Sequence, residues 1–328
     1  MKQAKVFSIV VVTIIALYGL VGYCYLPLAN FEGSLTRMGM LPESLFGWTR
    51  AQPAVDPNLM HSAGWQEADV LVIGDSFSNA RIWQTAFTGR GLKVRTENWE
   101  SIANICGDFG GWVRGMGFKG KYVVIESVEA YFEDRLARSA GCEKMRYHQS
   151  AAVHPMPPVT RPDRSIAERS GQLSVGIRTR LNVLKYEQLS DDPNFRSWDI
   201  ASEVRMERLP GGCDLFSHPR CNDVLFYKKD RTQDLDETTL ANMEKINARL
   251  SGFTTVWAVV PDKSTVYLHP EKQFWDKAEQ RFHAPNVLKV FRNAINDKTI
   301  DLYKGNDTHT STTGYLILGD LIYRSTYR

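Results

Sequence analysis

Asp69-Val70-Leu71-Val72-Ile73-Gly74-Asp75-Ser76-Phe77-Ser78 is the stretch on which the reading of the fold turns. Four aliphatic residues in a row, bounded by Asp69 and Gly74, mark a strand buried on both faces, as in the interior of a parallel sheet. Gly74 permits a tight turn at the strand's C-terminal end. Open α/β sheets place their ligand crevice at that end, and a helix starting there aims backbone N–H groups at the same point. Ser76 is therefore expected to be exposed, with helical character from Ser78 to Phe87. The competing reading of Gly-Asp-Ser alone is a serine N-cap beside a turn aspartate. Asp75 is read as structural in both.

Outward from this strand, further apolar runs occur at Leu92–Arg95, Tyr122–Ile125, Thr254–Val260 and Thr299–Tyr303. Helical patterns occur at Glu237–Leu250, Asn286–Asn296 and Thr313–Tyr323. The alternation predicts an α/β domain over residues 69–328, a three-layer arrangement with a parallel sheet covered on both faces. Residues 142–230 interrupt the rhythm with Pro155, Pro157, Pro158 and Pro162, then a basic amphipathic helix around Val175–Leu189. This stretch reads as an insertion, a lid or docking surface. Residues 29–68, with Gly33, Pro42, Gly47, Pro53 and Pro57, read as a juxtamembrane linker carrying at most one short helix.

Val6 to Leu26 is a run of 21 residues without a charge, preceded by Lys2 and Lys5 and closed by Pro27. That length crosses a bilayer, and the two lysines orient it with the N-terminus in the cytoplasm. Gly22-Tyr23-Cys24-Tyr25 offers no small-x-small cleavage site, so residues 1–28 are read as an uncleaved signal anchor of an inner membrane rather than a cleaved signal peptide. The remainder would lie in the periplasm. Cys106, Cys142, Cys213 and Cys221 form an even set in that exported region. The short Cys213–Cys221 loop is the favoured bridge, worth about 2.5 kcal/mol on the chain-entropy model. Cys106–Cys142 follows by elimination, although four cysteines permit three connectivities. Forty basic and 37 acidic residues leave a net charge of +3, too small a surplus to argue for nucleic acid. Neither metal-ligand spacing nor a nucleotide motif occurs, and no cofactor is expected.

More than two hundred residues after Ser76 comes Tyr303-Lys304-Gly305-Asn306-Asp307-Thr308-His309. An aspartate and a histidine two apart can set the carboxylate on imidazole Nδ1 and leave Nε2 to take a serine proton. Alone, Asp-x-His is an ordinary loop or helix-capping segment. Together, an early serine after the first strand and a late Asp/His pair after the last predict a catalytic triad of Ser76, His309 and Asp307.

Gly74-Asp75-Ser76 and Asp307-Thr308-His309 resemble the first and last blocks of the SGNH hydrolases, a superfamily with a flavodoxin-like sheet. The D-T-H form is similar to that of the periplasmic alginate O-acetylation proteins, and Val260-Pro261-Asp262-Lys263-Ser264-Thr265-Val266-Tyr267 resembles a P-D-K-x-x-V-Y segment of the same group. In those proteins the serine follows the D-T-H block, whereas here it precedes it, as in ordinary SGNH enzymes. Those enzymes also carry G-x-N-D after the third strand to supply an oxyanion-hole asparagine, where this chain has Glu126-Ser127-Val128-Glu129. The oxyanion donors are accordingly expected to be the backbone N–H of Ser76 and of the Gly110-Gly111 turn. Lys263 and Tyr267 are expected to bind substrate at the crevice mouth; an ion pair and a core aromatic are the alternatives.

The resemblance implies an O-acetyltransferase acting on an extracytoplasmic polysaccharide, with acetyl supplied by a polytopic membrane acyltransferase partner. An esterase using the same triad and a non-catalytic assembly protein are the competing readings.

Overall fold

The computed structural model of the chain describes residues 2–148, 155, 157–161 and 172–327. Pro162, counted in the expected insertion, lies outside these residues. The strands among them are β1 (Val70–Gly74), β2 (Val94–Asn98), β3 (Tyr122–Val128), β4 (Ser197–Asp199), β5 (Val204–Arg208), β6 (Asp223–Tyr227) and β7 (Thr254–Val260). The protein is α/β, with a four-strand parallel sheet, a small antiparallel sheet and an apolar N-terminal helix. The chain divides into two compact units. One comprises Met1–Arg50, Arg161–Lys228 and Lys304–Thr308; the other comprises Ala51–Thr160, Lys229–Tyr303 and His309–Arg328.

The parallel sheet belongs to the second of these units and has the order β2-β1-β3-β7. Its register sets Gly74 against Asn98, Ile73 against Ile125 and Val128 against Val260, so the C-terminal ends of all four strands share one edge. Every residue of β1 is buried, as expected of an unbroken Val-Leu-Val-Ile run in a central strand. Helix Glu129–Ala140 leaves that edge directly from β3 and runs back, burying Phe132 against Trp257 at a ring separation of 6.0 Å. At the far end Arg249 donates to the carbonyls of Ile105 and Ala140, at 3.2 and 2.9 Å. Cys106 and Cys142 are bonded to each other close by.

Three expectations for this unit are corrected. The second strand starts at Val94 and runs on to Asn98. No strand forms over Thr299–Tyr303, because Lys298 and Asp301 adopt positive φ (64° and 55°) and break the extended run; Tyr303 retains only an isolated antiparallel bridge to Thr310. The helix expected over Ser78–Phe87 is two short ones, Ser76–Asn79 and Thr85–Thr88, interrupted where Arg81 turns to φ 55°. The later helices form as Glu237–Arg249, Val287–Asn296 and Thr312–Thr326.

The other unit is built where a linker and an insertion were expected. Helices Ser34–Gly39 and Glu43–Phe46 bring Leu35, Leu41 and Phe46 into one core with Tyr186, Trp198, Val204, Met206 and Leu225. β5 pairs antiparallel with both β4 and β6. Phe46 meets Tyr186 edge-on at 5.2 Å, and the Tyr186 hydroxyl donates to Asp223 Oδ2 at 2.6 Å. Arg208 closes on the same carboxylate through Nε (2.8 Å) and Nη2 (3.1 Å). Cys213 and Cys221 are disulfide-bonded. Proline and glycine spacing hid this core, because its apolar residues are scattered too thinly along residues 30–50 to show a period.

The N-terminal helix Lys2–Tyr25 runs into a 3-10 turn, Leu26–Ala29. Within Gln3–Ala29 the most apolar 18-residue window has a mean hydropathy of 2.3 and none of it is buried in the protein, so by length and composition the segment can cross a membrane. Cys24, in this helix, is exposed and unbridged.

A solvated linker and a folded core respond differently to truncation. Leu35→Ala is expected to destabilise the protein by about 2–5 kcal/mol, the cost of emptying a fully buried leucine site. Urea unfolding measures this, and a change within about 0.5 kcal/mol, the level of an exposed substitution, would contradict the assignment of residues 30–50 to a core.

Candidate active site

Ser76 opens the short helix that follows β1, at the sheet edge shared by the strand C-termini, and its side chain is exposed. Its position is set by what lies beneath. The Asp75 carboxylate is buried and accepts from three donors: Phe77 N–H at 3.0 Å, Val128 N–H at 2.9 Å and Arg135 Nη1 at 2.6 Å. Arg135 also donates to Ser127 Oγ at 2.6 Å. One side chain thus ties the turn after β1 to the end of β3 and to the helix beyond it. Charge-assisted hydrogen bonds of this kind contribute about 1.5–3 kcal/mol each. The structural reading of Asp75 agrees with this geometry.

Glu126 forms the second tier. It is fully buried, and its Oε2 accepts from Asp75 N–H at 3.0 Å and from Ser78 Oγ at 2.6 Å. Trp83 Nε1 donates to the same Ser78 hydroxyl at 3.3 Å. Burial pushes the Glu126 pKa well above the usual carboxylate range, and the Asp75 charge pushes the same way. The Ser78 hydroxyl, the Asp75 N–H and Arg135 pull it back by less. Gly74 is required by this tier: a Cβ there would collide with Ser78 Oγ and stand 2.7 Å from Glu126 Oε2.

His309 reaches the same point from the other end of the chain. The bridge between Tyr303 and Thr310 and the hydrogen bond from Ser311 N–H to Leu302 O (2.9 Å) hold the returning segment, and Ser311 Oγ caps helix Thr312–Thr326 by accepting from Gly314 N–H. His309 Nε2 lies 2.8 Å from Ser76 Oγ, and its ring sits 4.9 Å from that of Phe77. Two residues 233 positions apart in sequence are therefore hydrogen-bonded. In that geometry an imidazole can take the serine proton as the hydroxyl attacks a carbonyl.

Asp307 belongs to the other unit, where peptide 304–308 is built onto the segment after the N-terminal helix. Its Oδ1 accepts from Ser34 Oγ at 2.9 Å, and the Thr308 N–H donates to that hydroxyl at 3.2 Å. The Asn306 carbonyl accepts from Leu35 N–H at 3.0 Å, and Asn306 Nδ2 donates to Glu43 Oε2 at 2.6 Å. A Cβ at Gly33 would collide with the Asn306 carbonyl oxygen. Ser34 and Glu43 went unrecognised in sequence, since nothing local marks a residue whose partner is some 270 positions away.

The remaining expected site residues fall elsewhere. Gly110 stands 3.7 Å from the Arg249 carbonyl and 3.9 Å from the Phe253 ring, measured from the Cβ it would carry. Those residues precede β7, at the opposite end of the parallel sheet from Ser76, so Gly110 is corrected from oxyanion donor to packing residue. Lys263 and Tyr267 are buried rather than at a crevice mouth. Burial holds the Asp230 carboxyl up at about 6, against the pull of the hydrogen bonds from Ser264 and of the nearby Lys263 charge. The Tyr267 hydroxyl accepts from Tyr303 N–H at 3.3 Å, and burial raises its pKa. Asp262, of the same P-D-K segment, accepts from Arg231 N–H at 2.7 Å. Glu129, the last residue of the E-S-V-E string, is an ion-pair partner of Lys272 in this buried group. The segment is thus structural scaffolding around the end of β7.

A groove of about 440 Å³ along helix Thr312–Thr326 is lined by Leu316, Ile317 and Leu321, and neither Ser76 nor His309 lines it. Among the described residues no group of three or more His, Cys, Asp or Glu is arranged to hold a metal ion. No protein-family model, curated protein or solved structure matches the chain.

The buried Glu126 gives the site a pH signature. A carboxyl whose folded pKa lies above its ordinary value of 4.5 binds its proton more tightly folded than unfolded, so its contribution to stability falls as pH rises from about 4.5 through the folded pKa. Glu126→Gln keeps a neutral acceptor for Asp75 N–H and Ser78 Oγ without that proton. Its melting temperature is expected to rise relative to wild type as pH increases from 4.5 to neutrality; parallel pH profiles would contradict the assignment.

Proposed function

We propose that the chain is a membrane-anchored, extracytoplasmic acyl-transfer enzyme of the SGNH type, moving an acetyl group through a Ser76 acyl-enzyme onto a polysaccharide hydroxyl. The observation that carries the reading is the 2.8 Å contact between Ser76 Oγ and His309 Nε2 at the C-terminal edge of a parallel sheet. The SGNH resemblance of Gly74-Asp75-Ser76 and Asp307-Thr308-His309 supports the reaction class, and the likeness of the D-T-H form to that of the alginate O-acetylation proteins supports acetyl as the group moved. The apolar N-terminal helix and the two disulfides support an oxidising compartment outside the cytoplasm.

In this mechanism Ser76 Oγ bonds to the acetyl carbonyl carbon while its proton passes to His309 Nε2. The donor's leaving oxygen or sulfur departs with that proton. A sugar hydroxyl then gives its proton to Nε2 and attacks the acyl-enzyme, and Ser76 recovers the proton as the new ester leaves. Asp307, on the strength of the Asp-x-His spacing, orients the imidazole and supports its charged form. The Ser76 N–H at the helix start is the first oxyanion donor. A polytopic membrane acyltransferase supplies the acetyl group, because acetyl-CoA is confined to the cytoplasm. No resident cofactor takes part.

Hydrolysis is the second reading, favoured by one observation: Ser76 is exposed, and a site open to water passes its acyl group to water. Incubating the full chain in detergent with a chromogenic acetyl ester, with and without an oligosaccharide acceptor, separates the two. Acetylated sugar supports transfer, and free acetate with unchanged sugar supports an esterase.

A serine-directed fluorophosphonate is expected to label the wild-type protein, and Ser76→Ala is expected to abolish labelling. His309→Ala and Asp307→Asn are each expected to slow ester turnover by about 10²–10⁴-fold. Equal labelling of wild type and Ser76→Ala, or none of either, would remove the basis for catalysis and leave a non-enzymatic assembly protein.

A further inference from the structure

Helix Leu173–Ser190 has two faces that do different things. Gly176, Thr179, Val183 and Tyr186 are buried, and Tyr186 belongs to the core beneath the small antiparallel sheet. On the other side Ile177, Leu181 and Leu184 are 39%, 59% and 46% exposed. At about 100° per residue these three lie within an arc of about 60°, opposite the buried face. Arg180 flanks the stripe on one side, and Arg178 and Lys185 flank it on the other; all three are exposed. Outside the N-terminal helix, the described residues hold six exposed large hydrophobic side chains, Tyr131, Val159, Ile177, Leu181, Leu184 and Tyr327, and three of them form this stripe.

The location of the helix says what covers it. Gly176 lies so close to the end of the N-terminal helix that an added Cβ would collide with the Tyr25 carbonyl oxygen. The 3-10 turn Leu26–Ala29 also packs along it. A helix in contact with the last turn of a membrane span is held at the level of the lipid headgroups. An apolar stripe bordered by arginine and lysine is the pattern of a helix lying in that interface, its apolar side chains at the acyl boundary and its cations on anionic headgroups.

We propose that helix Leu173–Ser190 lies along the surface of the bilayer. Ile177, Leu181 and Leu184 insert at the headgroup–acyl boundary, and Arg178, Arg180 and Lys185 bind anionic lipid headgroups. The proposal rests on the reading of Gln3–Ala29 as a membrane span. It makes the anchorage a two-point one, which fixes the orientation of this unit against the membrane as well as its distance.

The test uses the full chain, carrying Cys24→Ser, in nanodiscs of phosphatidylcholine and phosphatidylglycerol. A nitroxide is attached at one introduced cysteine at a time: Ile177→Cys, Leu181→Cys, Leu184→Cys, Glu187→Cys as the exposed reference just beyond the basic border of the stripe, and Leu17→Cys within the span. Collision with oxygen, which concentrates in lipid, is compared with collision with an aqueous nickel chelate. At 177, 181 and 184 the oxygen-to-nickel ratio is expected to exceed that at 187 several-fold, and to fall towards it in pure phosphatidylcholine discs. Nickel access at 181 equal to that at 187, with lipid exposure retained at 17, overturns the surface helix and leaves the anchor standing. Nickel access at 17 overturns the anchor and the proposal together. Immobilised labels shielded from both reagents at 177, 181 and 184 overturn it in favour of a protein cover, and a ratio indifferent to phosphatidylglycerol overturns the role of the basic residues.

Discussion

A buried carboxylate holds the candidate site in place. Asp75 sits below the exposed serine and satisfies Phe77 N–H, Val128 N–H and Arg135 at once. Removing one partner of a buried charge pair costs about 3–5 kcal/mol, because the other charge stays out of water. The turn after β1 is therefore fixed to the end of β3, and Ser76 inherits that fixity. Glu126, its pKa raised by burial and by the Asp75 charge, fills the space under the turn and ties down the Asp75 N–H and Ser78. The carboxyl near the end of β3 thus stabilises the loop from below.

Much of this was legible in sequence, for identifiable reasons. β1 was readable because an unbroken apolar run ending in glycine leaves few alternatives, and β7 was delimited to the residue at Thr254–Val260. The meeting of Ser76 with His309 was readable only as a conjunction, since neither motif is informative alone. Glu126 did carry a signal: an acidic residue within Tyr122-Val123-Val124-Ile125-Glu126 is out of place in a buried strand unless something nearby needs it. Arg135 and Ser34 carried none, because their partners are 60 and 273 residues away.

The errors share a cause. Thr299–Tyr303 has strand composition, yet Lys298 and Asp301 take left-handed conformations that a propensity argument does not foresee. Gly110 suggests an oxyanion turn because it lacks a side chain, yet it lies beside Phe253 and the Arg249 carbonyl at the other end of the sheet, at distances that an ordinary Cβ would tolerate. The likeness of residues 261–267 to P-D-K-x-x-V-Y points to substrate binding by Lys263 and Tyr267, whereas here the two are buried, Lys263 beside Asp230 and Tyr267 as a core aromatic against Tyr303. Residues 30–50 looked like a linker because a core assembled from distant segments leaves no local period.

The central claim is that Ser76 carries the acyl group with His309 as its base. Rapid mixing of the full chain with an activated acetyl ester, acid quenching and peptide mass spectrometry tests it directly. The account predicts one acetyl group on the peptide containing Ser76, absent from Ser76→Ala and strongly reduced in His309→Ala. Acetylation of another residue, or of Ser76 to the same extent in the His309→Ala protein, would contradict it.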